Sequence, residues 1–150
     1  MWKDMLEEIA LEKNSYGEMI NKGAEEKEIE KFLKEANNQL NIKIPEDYVG
    51  LLQYVNGLEF NGYILYGIDQ VLSIIQPNQR INGLIENNNI WRGNTWHKKY
   101  IFIGESDISW YVFDPMKQKY YVLDKPSGQE CESFDDLESL ICKILKEAMH

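Results

Sequence analysis

Between Tyr100 and Asp124 three short runs of strand-forming residues are separated by turn chemistry, and no other stretch restricts the possible folds as strongly. The runs are Ile101-Phe102-Ile103-Gly104, Ser109-Trp110-Tyr111-Val112-Phe113-Asp114 and Tyr120-Tyr121-Val122-Leu123-Asp124. Glu105-Ser106-Asp107 and Pro115-Met116-Lys117-Gln118 divide them, which is the pattern of an antiparallel meander. Successive side chains of a strand point to opposite sides, so Trp110 and Val112 share one face while Tyr111 and Phe113 share the other. Both faces are apolar. One therefore needs helices as a cover, and the other is either covered too or is a surface to which something binds.

The rest of the chain supplies covers. Met1, Met5, Ile9, Tyr16 and Met19 form a stripe at helical spacing, with Trp2 and Ile20 on its edge and a break signal at Asn14-Ser15-Tyr16-Gly17. After a turn over 21–24, the acids of Glu25-Glu26-Lys27-Glu28 open a second helix, whose buried stripe is Ile29, Phe32, Leu33, Ala36 and Leu40. Pro45-Glu46-Asp47 starts a third, which runs through Tyr48, Leu51, Leu52 and Val55 and stops at Asn56-Gly57. Leu58-Glu59-Phe60 and Tyr63-Ile64-Leu65-Tyr66 flank Asn61-Gly62, a two-residue hairpin signal.

From 67 to 99 the periodicity weakens. Ile68, Val71, Leu72, Ile74 and Ile75 form a short apolar segment, and Asn78 to Ile90 is read as holding a helix with Ile81, Leu84 and Ile85 inward and Asn87-Asn88-Asn89 at its end. Ile90 to Tyr100, with Trp91, Arg92, Gly93, Trp96 and His97, reads as an ordered loop beside the sheet. At the other end of the meander, Lys125-Pro126-Ser127-Gly128 turns the chain. Ser133 is then the expected N-cap of a last helix, with Asp136 three residues on and Phe134, Leu137, Leu140, Ile141, Ile144, Leu145 and Ala148 as its apolar stripe.

Size and charge narrow the function. A chain of 150 residues suits one domain, and no disulfide or metal staple is needed at that length. Sixteen basic against 25 acidic residues give a net charge of -9, which opposes contact with nucleic acid or an anionic membrane and steers a basic partner in. Cys131 and Cys142 have no metal-ligand spacing and read as free thiols. No segment has the roughly 18 to 20 apolar residues of a membrane span, and the N-terminus carries acids in place of a signal peptide's apolar run, so a cytoplasmic location is expected.

Catalytic signatures are missing: there is no phosphate loop, His-Glu-x-x-His helix, nucleophile elbow or Cys pair. His150 is the terminal residue, and His97 is read as a surface or half-packed loop residue rather than a general base. Asp107, Asp114 and Asp124 end strands or fill turns, where local hydrogen bonding favours Asp. No enzyme activity, cofactor or metal is expected. The aromatics point to binding instead, because Trp and Tyr anchor interfaces by burying large area at low entropic cost. For Trp91 and Trp96 exposure and burial stay open, for Trp110 and Tyr121 a core position is equally natural, and Glu105, Ser106 and Asp107 place acids nearby.

The order of these pieces carries a resemblance. Ile44-Pro45-Glu46-Asp47-Tyr48, the helix ending in Asn56-Gly57, Ile103-Gly104-Glu105, Trp110-Tyr111-Val112-Phe113-Asp114 and Phe134-Asp135-Asp136-Leu137 together resemble the SMI1/KNR4 (SUKH) superfamily from about Ala24 to Leu145. The resemblance implies an α+β fold with a mostly antiparallel sheet of about four to six strands and flanking helices. It makes residues 1–150 a single such domain, with 1–23 as an N-terminal helical extension. It also implies a protein-binding module, since many bacterial members are immunity proteins that neutralise a toxin, often a nuclease, while fungal relatives act in cell-wall regulation.

The expected partner is thus a protein, a basic toxin domain in the leading reading and a housekeeping regulatory partner in the alternative. A small-ligand or enzymatic domain is the third reading. The expected contact residues are Trp91, Trp96, Glu105, Asp107, Trp110 and Asp114, on an open sheet face and its neighbouring loops. Oligomeric state is left open.

Overall fold

Six strands pair in sequence order, each antiparallel to the next, in a computed structural model that describes residues 1–70 and 81–150. The strands are β1 (Leu58–Phe60), β2 (Tyr63–Leu65), β3 (Ile101–Glu105), β4 (Ser109–Asp114), β5 (Lys119–Asp124) and β6 (Glu130–Phe134). Five helices flank them: α1 (Trp2–Ser15), α2 (Glu26–Leu40), α3 (Glu46–Tyr54), α4 (Leu84–Trp91) and α5 (Leu137–Ala148). The fold is α+β, as read from the sequence. Val71, Leu72, Ile74, Ile75 and Asn78 lie outside the described residues.

The local signals that specify each element are visible in the backbone. Asn61 and Gly62 take φ of 51° and 83°, the left-handed pair that a twisted two-residue hairpin requires between β1 and β2. Glu28 reaches back to accept the Glu25 backbone N–H at 3.1 Å, closing the first turn of α2, while Ile29, Phe32 and Ala36 face inward. The chain leaves α3 through Gly57 at φ 81°.

Three elements differ from their sequence reading. In α1 the inward residues are Leu6 and Ile9, while Tyr16 and Met19 lie beyond the helix end and are exposed. The chain turns away at Gly17, φ 80°, so the apolar stripe stops where the helix stops. Helix α4 runs through Asn87-Asn88-Asn89, because Asn88 is fully buried and bonds inside the protein. Residues 130–134 form β6, with Ser133 opposite Tyr121, and the N-cap of α5 is Asp136, whose Oδ1 accepts the Ser139 N–H at 2.7 Å. Glu130, Cys131, Glu132 and Ser133 are exposed and Phe134 is half-buried, so this edge strand shows no alternation of apolar and polar residues.

Both faces of the sheet are covered. On one side Tyr111 lies toward α5, near Lys143 and Glu147, and α1 packs on α5. Tyr48 of α3 donates its hydroxyl to the Ile103 carbonyl at 3.0 Å and also to that of Tyr66. On the other side the Trp110 ring meets Trp91 at 5.3 Å and His97 at 5.0 Å between centroids. Helix α4 and the segment after it therefore seal the face that was expected to stand open.

Candidate functional site

A bulge in β3 sets the site. Phe102 faces Val112, but the next pairs are Gly104 with Tyr111 and Glu105 with Trp110, so one extra residue has been taken up between them. Directly opposed residues share a face, and the bulge thereby puts Glu105 on the side of Trp110. Only Gly fits at 104, since a Cβ there would lie 2.5 Å from the Ile64 carbonyl oxygen.

Glu105 enters a polar network among aromatic rings. Its carboxylate accepts the Tyr66 hydroxyl and the Lys125 ammonium, the latter at 2.9 Å, and Trp91 Nε1–H donates to the Tyr66 oxygen at 2.9 Å. Lys125 Nζ lies 5.1 Å from the Trp91 ring centre and 5.9 Å from that of Trp110, a cation over two ring faces. The side chains of Glu105 and Lys125 keep only 17% and 21% exposure, so both charges are partly desolvated and compensate each other. Burial, and then the bond to Glu105, pushes the Tyr66 phenol far above its ordinary value. Tyr66, Trp91, Glu105 and Lys125 all bond within the chain, while the Trp110 Nε1–H is buried without a partner among the described residues. The network holds the Trp91 ring against that of Trp110.

The segment from Trp91 to Tyr100 is anchored at several points. His97 is buried at 7% exposure, with Nδ1 2.8 Å from the Trp91 carbonyl oxygen and its ring 5.4 Å from that of Phe102. It is neither a surface nor a half-packed residue, because Gly128 closes over it and a Cβ at 128 would come within 2.9 Å of Nε2. Asn94 Oδ1 accepts the His97 N–H at 3.0 Å. Arg92 donates to the carbonyls of Leu40 at 3.4 Å and Lys98 at 2.9 Å, and desolvation lowers its pKa. Against this fixed frame Trp96 is 75% exposed.

The six residues expected to contact a partner therefore separate. Trp96 and Asp107 are exposed, and Trp91 and Glu105 are half-buried in the network. Trp110 and Asp114 are buried at 4% and 2% and offer no surface to a partner. Asp114 instead holds the β4–β5 turn, accepting the Met116 and Lys117 N–H groups at 2.9 and 3.3 Å. Ile108, beside Asp107, is 72% exposed. Tyr66 and Lys125 escaped the sequence reading, since nothing in their neighbourhood marks them; only the bulge brings them to Glu105.

Among the described residues no group of three or more His, Cys, Asp or Glu side chains is arranged to hold a metal ion, and no helix is long and apolar enough to cross a membrane. Burial raises the pKa of the Cys142 thiol, and Glu138 adds to the shift, so packing is its role on α5. The sequence model of the SMI1 / KNR4 family (SUKH-1) matches residues 23–140. The chain belongs to the SMI1/KNR4 family. No curated protein matches it. The family match takes in every strand and all of α2, α3 and α4, and leaves α1 outside. SUKH domains are known as immunity-like protein-binding domains.

Proposed function

We propose that this SUKH protein is a non-catalytic immunity protein that acts in the cytoplasm and neutralises a cognate toxin domain, a basic enzyme such as a nuclease, by occluding it. Residues 1–150 then act as one domain, with α1 an added cover on α5. The observation that carries the reading is Trp96, 75% exposed on a segment held by Arg92, Asn94 and His97. A large ring presented on a fixed frame loses little freedom on binding, which is how preorganised anchors gain affinity. The net charge of -9 supports the choice of a basic partner, because complementary charge accelerates encounter. Asp107 and Ile108 add an acid and an apolar side chain on the β3–β4 turn. Trp110 and Asp114 hold the scaffold.

Copurification of the full chain with the toxin domain encoded beside its gene tests this. A complex with sub-micromolar affinity that protects the toxin's target is the expected result. Absence of binding at that level overturns the proposal, and recovery of a cell-wall or signalling protein in its place favours a regulatory role.

A further inference from the structure

Away from the Trp91 network, a cleft of about 420 Å³ opens where the start of α3 meets the far end of β4 and β5. Phe113 and Tyr120 form its inner wall, their rings 4.8 Å apart, and Lys43, Glu46, Asp47 and Asp135 contribute its charges. Three carboxylates thus face one ammonium. Lys119 lies close to the rim with Nζ 3.6 Å from Asp135 Oδ1, a pair in which both side chains are largely exposed.

Acids alone would not make this a site, but Tyr120 adds an independent observation. The residue is 3% exposed and lines the cleft, and its hydroxyl makes no hydrogen bond to the described residues. A buried phenol normally finds a partner. Its pKa is raised by burial first, and then by Asp47 of the cleft and by Asp136. The wall is aromatic and electron-rich, its two rings tilted by 45°, while the rim is anionic. A planar cation with several donors satisfies both, stacking on rings while its N–H groups reach carboxylates and the phenol oxygen; a guanidinium has that shape and an ammonium does not.

We propose that this cleft takes an arginine side chain presented by the protein partner, its guanidinium between the carboxylates of Glu46, Asp47 and Asp135 and its face toward Phe113 and Tyr120. The inference rests on the protein-binding reading above and extends it to one contact. A basic toxin domain presents arginines on its surface, and the cleft would fix the register in which Trp96 and the acids meet it.

The test needs no partner. The full chain, labelled with nitrogen-15, is titrated with N-acetyl-L-arginine amide and followed by amide chemical shifts. N-acetyl-L-citrulline amide, which keeps the shape without the charge, and inorganic phosphate serve as controls. Saturable shifts confined to the neighbourhood of Glu46, Asp47, Phe113 and Tyr120, with no response to citrulline or phosphate, are expected. Asp47→Asn should weaken the arginine response about tenfold, as loss of a charged hydrogen-bond partner does. Tyr120→Phe should weaken it by a smaller factor. Should Asp47→Asn fail to fold, Asp135→Asn on the exposed β6–α5 turn replaces it. An equal response to citrulline, a response to phosphate instead of arginine, shifts scattered over the acidic surface, or variants that bind as the parent does would each overturn the proposal. Failure here with toxin capture intact removes the arginine cleft and leaves the immunity reading standing, whereas failure of capture with the arginine response intact removes that reading alone.

Discussion

The Asn88 carboxamide pairs with the backbone of Phe102 as a strand would, accepting its N–H and donating to its carbonyl, each at 2.8 Å. Strand β2 pairs with β3 only as far as Gly104 and Glu105, and Tyr66 adds one bond to Ile103. Beyond that point the edge of β3 would be bare. Asn88 completes it from α4, and its Nδ2 also donates to the Leu84 carbonyl at 2.8 Å.

Asn88→Leu should therefore unfold the protein at markedly lower urea. It leaves a buried N–H and a buried carbonyl without partners, at a cost of about 2 to 4 kcal/mol for the two groups together. Equilibrium urea denaturation followed by tryptophan fluorescence checks the figure. A loss under about 1 kcal/mol would mean that water or a shifted β2 takes over the edge.

Trp91 and Trp96 should respond oppositely to truncation. Trp91→Ala removes a ring packed on Trp110 and the donor to Tyr66, and should cost about 2 kcal/mol of stability. Trp96→Ala should change stability by no more than about 0.5 kcal/mol and weaken partner binding more than about tenfold. Thermal melts alongside calorimetric titration with the captured toxin domain separate the two effects.

Glu105 and Lys125 should behave as a coupled pair. Glu105→Gln leaves Lys125 without its carboxylate, and Lys125→Met leaves Glu105 without its cation; each single change should cost about 1 kcal/mol, discounted for the remaining exposure. The double variant should lose less than the sum of the singles. A double-mutant cycle measured by urea unfolding reads the difference directly, and strict additivity would show that the pair is not coupled.

Alkaline pH should destabilise the fold through its tyrosines. Burial raises the phenols of Tyr48, Tyr66, Tyr100, Tyr111 and Tyr120, that of Tyr111 to about 12. An unfolded tyrosine titrates near 10. Folding thus favours the neutral form: the contribution is fully present below about pH 10 and is lost as pH rises through that value toward the folded pKa. Phenolate absorbance at high pH should lag behind that of a tyrosine peptide and then rise together with the loss of circular dichroism. An early phenolate signal in a still-folded protein would contradict this.

What the sequence announced was local in origin. The Asn61-Gly62 hairpin, the acidic first turn of α2 and the apolar stripe of α5 depend on near neighbours, and each is present. What it hid depends on distant ones. Asn88 reads as a helix breaker unless Phe102 is known to lie beside it, and Glu105 reads as a turn acid until the bulge at Gly104 turns it toward Trp110. The same applies to His97, which looks like a loop histidine until Gly128 covers it, and to β6, whose residues look like a helix start because an edge strand needs no apolar side chains on its outer surface. The family resemblance located the scaffold correctly and could not say that its sheet is sealed on both sides.

That sealing separates two duties along the chain. The strands hold their shape by contacts with the chain's own helices and loops, so exposed positions, Trp96 and Asp107 among them, carry almost no packing obligation. In the proposed role, substitutions there exchange one target for another while the melting behaviour stays put. On that proposal, a lineage of such proteins keeps pace with a changing adversary without ever reworking its interior.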